Sequence, residues 1–235
     1  MRIHRIFGLM AFTYLIETPH RLFLVDAGFV GHGRTILRKI RSLGRDPHEL
    51  ELALITHGHL DHFGGVAEVR AATGARIAAH PLHADIVATG GRIVSPGRTA
   101  WGRTYGSLAR AALPRLRVPA IDSVASVRDG EDLHDLGLPG YVYYTPGHSD
   151  GCISLLLDDG TAIVGDLIQG KRLPSLVPEL PNMAQDSDRA HASWRRLLEA
   201  GATSFLPAHS KPFTAKDLVG TMRRDAVLLP SYSTT

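Results

Sequence analysis

Cysteine is almost absent from this chain: Cys152 is the only one in 235 residues. No internal disulfide can form, which fits a reducing compartment. Cys152 lies in the run "GCISLLL" and reads as a small core residue of a buried strand, not as a nucleophile. Lysine is scarce too, with 4 against 22 arginines. The arginines are dispersed, the longest runs being the pairs Arg195-Arg196 and Arg223-Arg224. The formal charge is only +3. A nucleic-acid partner needs a basic face or stripe, and none is expected here. Long apolar runs are also missing. A membrane helix needs roughly 18 consecutive apolar residues. The stretch Ile6 to Ile16 follows basic residues as a signal peptide would. No small-residue cleavage site comes after it, so it reads as two strands with a turn near Gly8. The expectation is a cytoplasmic protein with no membrane partner.

Apolar residues make up 44% of the sequence, enough for a sizeable core. The length suits a single domain over 1–235. Strand-like runs appear at "RIHRIF", "AFTYLIE", "RLFLVDAG", "LELALIT" and "ARIAAH". They return at "DSVASV", "YVYYTPG", "CISLLLD", "TAIVGD" and "TSFLPAH". Helical spacing joins Ile36, Leu37, Ile40 and Leu43, then Val66, Val69 and Ala72, with Gly44 and Gly74 as natural ends. Ser187 is expected to cap a helix carrying Ala190, Trp194, Leu197 and Leu198 and stopping at Gly201. Thr214 with Asp217 has the capping-box pattern. Residues 90–123 are rich in Gly, Arg and Pro and read as an insertion or lid. Within them Trp101, Tyr105, Leu108, Ala109 and Ala112 share one helical face. Gly170 to Gln185 reads as a Pro-rich loop. Strands with interspersed helices indicate a mixed α/β domain.

The chemistry concentrates in "ITHGHLDHFGG", Ile55 to Gly65, directly after an apolar run. His57 and His59 point the same way on an extended loop, and Asp61 and His62 turn into the next segment. Imidazole with carboxylate suits zinc or a comparable transition metal. His148, Asp166 and His209 each follow a strand-like run and begin a loop, where sites tend to form on a rigid scaffold. Together these are five histidines and two aspartates, enough for two adjacent metals. His80 and His83, in "AHPLHAD", are expected at the surface or as caps.

In their order and spacing, "THGHLDHFGG", "TPGHSDG", "GD" and the final strand-end His209 resemble the metallo-β-lactamase superfamily, over almost the whole chain. The resemblance implies a four-layer αββα sandwich with the site at one edge, between two mixed sheets. It implies that His57, His59 and His148 hold one metal, that Asp61, His62 and His209 hold a second, and that Asp166 bridges them. Two zinc ions are expected, with manganese or iron also accepted by such ligands. Asp26 resembles the aspartate that supports the metal loop without ligating. Trp101, Tyr105, Arg172 and Met183 flank the site in such proteins and are candidate pocket residues. The implied activity is hydrolysis of a small-molecule thioester, ester or lactone by a metal-bridging hydroxide, with Asp61 steering its proton. The motifs look most like the glyoxalase II branch, without the glutathione-binding region that follows its last histidine; 26 residues follow His209 here. Gln169 stands where lactonases of the superfamily carry tyrosine. The rival readings are a nuclease-like phosphodiesterase and a mononuclear iron oxidoreductase of the persulfide dioxygenase type. The partner expected is the small-molecule substrate alone, with the chain a monomer or homodimer.

Overall fold

The computed structural model describes residues 1–170 and 177–225. The first half runs β1 (Arg2–Phe7), β2 (Phe12–Glu17), β3 (Leu22–Val25), α1 (Gly33–Ser42), β4 (Leu50–Ile55), α2 (Leu60–Phe63), α3 (Val66–Thr73), β5 (Arg76–Ala79), α4 (Pro81–Thr89), α5 (Ala100–Ala112) and β6 (Ala125–Ser126). The second half runs β7 (Gly140–Tyr144), β8 (Ile153–Leu157), β9 (Thr161–Gly165), β10 (Gln169–Gly170), β11 (Pro178–Glu179), α6 (Ser187–Glu199), β12 (Ser204–Pro207), β13 (Phe213–Thr214) and α7 (Ala215–Arg224).

Strands β1 to β6 form one sheet in chain order, antiparallel from β1 to β3 and parallel from β3 to β6. The second sheet has the order β13-β12-β9-β8-β7, parallel only at β9–β12. The side-chain period of two sorts the apolar residues of each strand into two layers. In β2, β3 and β4, Tyr14, Ile16, Phe23, Val25, Leu52 and Leu54 face the second sheet, where they meet Val142, Ile153, Leu155 and Ile163. The alternate residues Leu15, Leu22, Leu24, Ala53 and Ile55 pack outward on Ile36 and Ile40 of α1 and Val66 and Val69 of α3. Leu156, Ala162 and Val164 likewise point outward from the second sheet onto Trp194, Leu197 and Leu198 of α6 and Leu218 and Met222 of α7. Two sheets buried on both faces explain the near-continuous apolar strands. The result is an αββα sandwich.

Helix ends follow local chemistry. Gly74 closes α3 at φ 71°. The Thr214–Asp217 capping box opens α7. Two expectations need correcting. Asp186, not Ser187, caps α6, because its carboxylate reaches the amides of Asp188 and Arg189. The run "DSVASV" contributes only the two-residue edge strand β6. Helix α4 lies in a stretch to which the sequence reading assigned no element: Pro81 occupies its first turn, where the missing N–H costs nothing.

Trp194 anchors the outer layer of the second sheet. It is fully buried, and its indole Nε1 donates to the Leu167 carbonyl at 2.9 Å. Trp194→Ala is expected to destabilise the chain by about 3–5 kcal/mol; a urea denaturation midpoint matching wild type would contradict this packing.

Candidate metal centre

Five strands of the sandwich, β3, β4, β7, β9 and β12, run toward one edge of it. The residue or loop after each supplies the site. Asp26 follows β3, Thr56 to Phe63 follow β4, His148 follows β7, Asp166 follows β9 and His209 follows β12. Regular backbone stops at these points, so polar side chains can converge there without breaking a ladder.

Asp26 holds the loop after β4. It is buried and is the only non-glycine at positive φ among the described residues, at 62°. Aspartate tolerates this region better than most residues. Its Oδ1 accepts from the Thr56 amide at 2.8 Å, and its Oδ2 accepts from the Thr56 hydroxyl at 2.8 Å and from His62 Nδ1 at 2.7 Å. One carboxylate thus ties the start of the loop to its end. Gly165 leaves the room this requires: a Cβ there would lie 2.6 Å from Thr56 Oγ1.

Each histidine is held by the nitrogen that does not face the centre. His62 Nδ1 donates to Asp26, His148 Nδ1 to the Met183 carbonyl at 2.7 Å, and His209 Nδ1 to the Met10 carbonyl at 2.9 Å. His57 Nδ1 lies 3.1 Å from the Thr56 hydroxyl. His59 is reversed: its Nε2 lies 3.2 Å from both the amide nitrogen and the hydroxyl of Ser95, which itself donates to the His148 carbonyl. Such outer bonds fix the tautomer and ring direction of metal-binding histidines.

The inward atoms form two groups. His57, His59, His148 and Asp166 each offer an atom within 4.8 Å of the others, and Asp61, His62 and His209 do the same. Asp166 lies between the groups. Its Oδ1 is 3.2 Å from His62 Nε2 and 3.1 Å from His209 Nε2, while its Oδ2 is 3.5 Å from His148 Nε2. His209 Nε2 is also 3.3 Å from Asp61 Oδ2.

The charges divide the same way. Burial, reinforced by the neighbouring histidines, pushes His57 well below the usual range and His59 down to about 3. Burial also lowers His148. These rings are neutral at pH 7, the form a metal needs. His62 and His209 oppose burial with carboxylates. Asp166, Asp26 and Asp61 hold His62 well above the usual range, and Asp166 and Asp61 hold His209 at about 10. Asp61 and Asp166 also resist burial: His62 and His209 hold both carboxyls below the usual carboxylate range. His62 Nε2 and Asp166 Oδ1 are both buried without a hydrogen-bond partner. Converging neutral imidazoles, carboxylates between them and orphaned inward atoms all fit divalent metal ions.

The site opens into a cavity of about 630 Å³, lined in part by Trp101, Tyr105, Gln169 and Met183. Three of the four expected pocket residues are therefore at the cavity, and the fourth, Arg172, lies outside the described residues. Thr56 and Ser95 escaped sequence reading, because a lone hydroxyl carries no pattern. So did the Met10 and Met183 carbonyls, which any residue can supply. His80 is a cap, its Nδ1 accepting from the Leu82 amide. His83 corrects the expectation. It is buried behind the metal loop, its Nδ1 accepts from the Gly58 amide at 3.1 Å, and burial lowers its pKa to about 4. A Cβ on Gly151 would press within 2.6 Å of its ring, so a glycine far along the chain makes its space.

A model of the metallo-β-lactamase superfamily matches residues 6–204. The chain is 26% identical over 217 residues to the probable metallo-hydrolase YflN of Bacillus subtilis (strain 168), covering 88% of this chain and 81% of that protein. Its fold overlays the metallo-beta-lactamase family protein TTHA1429 of Thermus thermophilus with a TM-score of 0.68, at 22% identity, over 96% of this chain and 79% of the other. It also overlays TTHA1623 in a di-iron-bound form with a TM-score of 0.65, at 24% identity, over 95% and 98% of the two chains. The chain belongs to the metallo-β-lactamase superfamily, and it is a metallo-hydrolase of that group. No helix among the described residues is long and apolar enough to cross a membrane.

Asp26→Ala removes the one group that orients both Thr56 and His62. Metal affinity is expected to fall roughly 10- to 100-fold, measured by competition with a chromogenic chelator. Unchanged affinity would show that the clamp is not needed for the centre.

Proposed function

We infer that the chain is a dinuclear metallo-hydrolase of small-molecule thioesters, esters or lactones. The observation that carries this is the set of seven inward side chains, in two groups with Asp166 between them, at the floor of a cavity. His57, His59 and His148 would hold one ion, Asp61, His62 and His209 the other, and Asp166 would contribute to both. Zinc is the favoured metal, and iron is a second choice supported by the di-iron form of TTHA1623. Bound metals supply a Lewis acid for the substrate oxygen and a water acidic enough to act as hydroxide near neutral pH.

The chain's own groups do the rest. Asp61 lines the cavity with its Oδ2 3.3 Å from His209 Nε2, so this carboxylate is placed to accept a proton from the attacking water. Gln169 also lines the cavity. Its Oε1 accepts from the amide and Nδ2 of Asn182, which leaves its own amide nitrogen as a donor for a substrate oxygen. A carbonyl substrate with an apolar part is favoured by the apolar side chains lining the cavity, among them Leu9, Phe29, Trp101 and Leu108.

Asp166→Ala is expected to lower both bound metal and thioester turnover by about a hundredfold or more, since it removes a ligand position shared by both groups. The check pairs metal analysis with a screen of thioester, lactone and phosphodiester substrates. Full turnover in Asp166→Ala, or phosphodiester cleavage alone in wild type, would contradict the reading.

A further inference from the structure

The cavity extends well past the metal residues, and its outer wall is unusual for an Arg-rich protein. That wall is the face of α5 bearing Trp101, Tyr105 and Leu108, which are 60%, 38% and 65% exposed. Leu9, 81% exposed, and Phe29 also line the cavity. Large apolar side chains left in water beside a concave site mark a binding surface.

Helix α5 is fixed in this position by contacts at the flank of the same face, which also reach the cavity. Gly102 faces the 181–183 strap so closely that a Cβ would lie 2.1 Å from the Asn182 carbonyl. That carbonyl accepts from the amides of Arg98 and Thr99 at 2.8 and 3.3 Å, and the Thr99 hydroxyl donates to Asn182 Oδ1 at 3.0 Å. The Arg98 guanidinium adds bonds to the Leu180 and Pro181 carbonyls. A glycine inside a helix costs about 1 kcal/mol relative to alanine, and here it allows backbone contact. The same strap carries the Met183 carbonyl that orients His148. The apolar face of α5 is thus held at a set distance from the metal centre instead of being buried in the core.

We propose that this face is a subsite for an apolar acyl chain, so that the substrate is a medium-chain acyl thioester, ester or lactone. The carbonyl end sits at the metal residues and the chain lies against Trp101, Tyr105 and Leu108 in the cavity that Leu9 also lines. A polar tail would leave the apolar wall in water. The chemistry rests on the hydrolase reading above, whereas the subsite is tested by binding alone.

Trp101 provides the probe, because the second tryptophan, Trp194, is fully buried between α6 and the second sheet. Metal-loaded protein is titrated with non-hydrolysable N-methyl acyl amides from acetyl to decanoyl while emission and acrylamide quenching are followed. The expected result is a shift to shorter wavelength, protection from quenching, and affinity rising roughly twofold to fourfold per methylene, in proportion to the apolar surface removed from water. Trp101→Phe should abolish the spectral change, and Leu108→Lys should flatten the dependence on chain length at unchanged metal content. Affinity independent of chain length would overturn the proposal. So would a Trp101 already shielded in ligand-free dimer, which would assign the face to a second copy of the chain. Binding of the amides without hydrolysis of any matching ester would leave the subsite standing and remove the hydrolase reading.

Discussion

The site depends on one buried carboxylate. Asp26 accepts from the amide and hydroxyl of Thr56 and from the ring of His62, which fixes both ends of the loop that carries His57, His59 and Asp61. Hydrogen bonds to a charged group contribute roughly 1.5–3 kcal/mol each. Three of them exceed the roughly 1–3 kcal/mol that a strained left-handed backbone costs, and they offset part of the desolvation of the carboxylate. The strain is therefore tolerated at the one place where a tight turn must aim a carboxylate back at the next strand.

The sandwich makes that arrangement useful. Both sheets are buried on both faces, so their strands are stiff and almost wholly apolar. Polar chemistry is confined to strand ends, and five strands end at the same edge. Side chains from residues as far apart as Asp26 and His209 meet there without burying unpaired backbone. The outward bonds of the rings to Asp26, Met10, Met183, Thr56 and Ser95 then fix where their inner nitrogens point. These bonds restrict the ring orientations, which lowers the cost of ordering the metal residues on binding.

Much of this was legible in the sequence because it rests on local pattern. The apolar runs give nearly every strand, and their ends mark Asp26, His148, Asp166 and His209. The packed loop motif gives His57, His59, Asp61 and His62. The face of α5 is visible as spacing alone, although spacing cannot say that it lines a cavity. What stayed hidden is set by tertiary contact. Ser95 and Thr56 matter only through the rings they touch. His83 looked like a surface residue because its buried place depends on Gly151, far along the chain, and on a helix begun by Pro81. The hold of Asn182 on α5 depends on a glycine whose importance appears only when two backbones meet. The extent of β6 was overread for a related reason: an alternating run pairs only as far as its neighbour extends.

The central claim is that the two groups of side chains form one centre for two metal ions that serves hydrolysis. The most direct measurement is metal content by plasma emission on protein purified without chelator, paired with the separation of the ions from their anomalous scattering in crystals. The account predicts two equivalents, one ion among His57, His59 and His148 and the other among Asp61, His62 and His209, with Asp166 on both. A single iron held by the first group, with Asp61 and His209 left unligated and no hydrolysis, would contradict it.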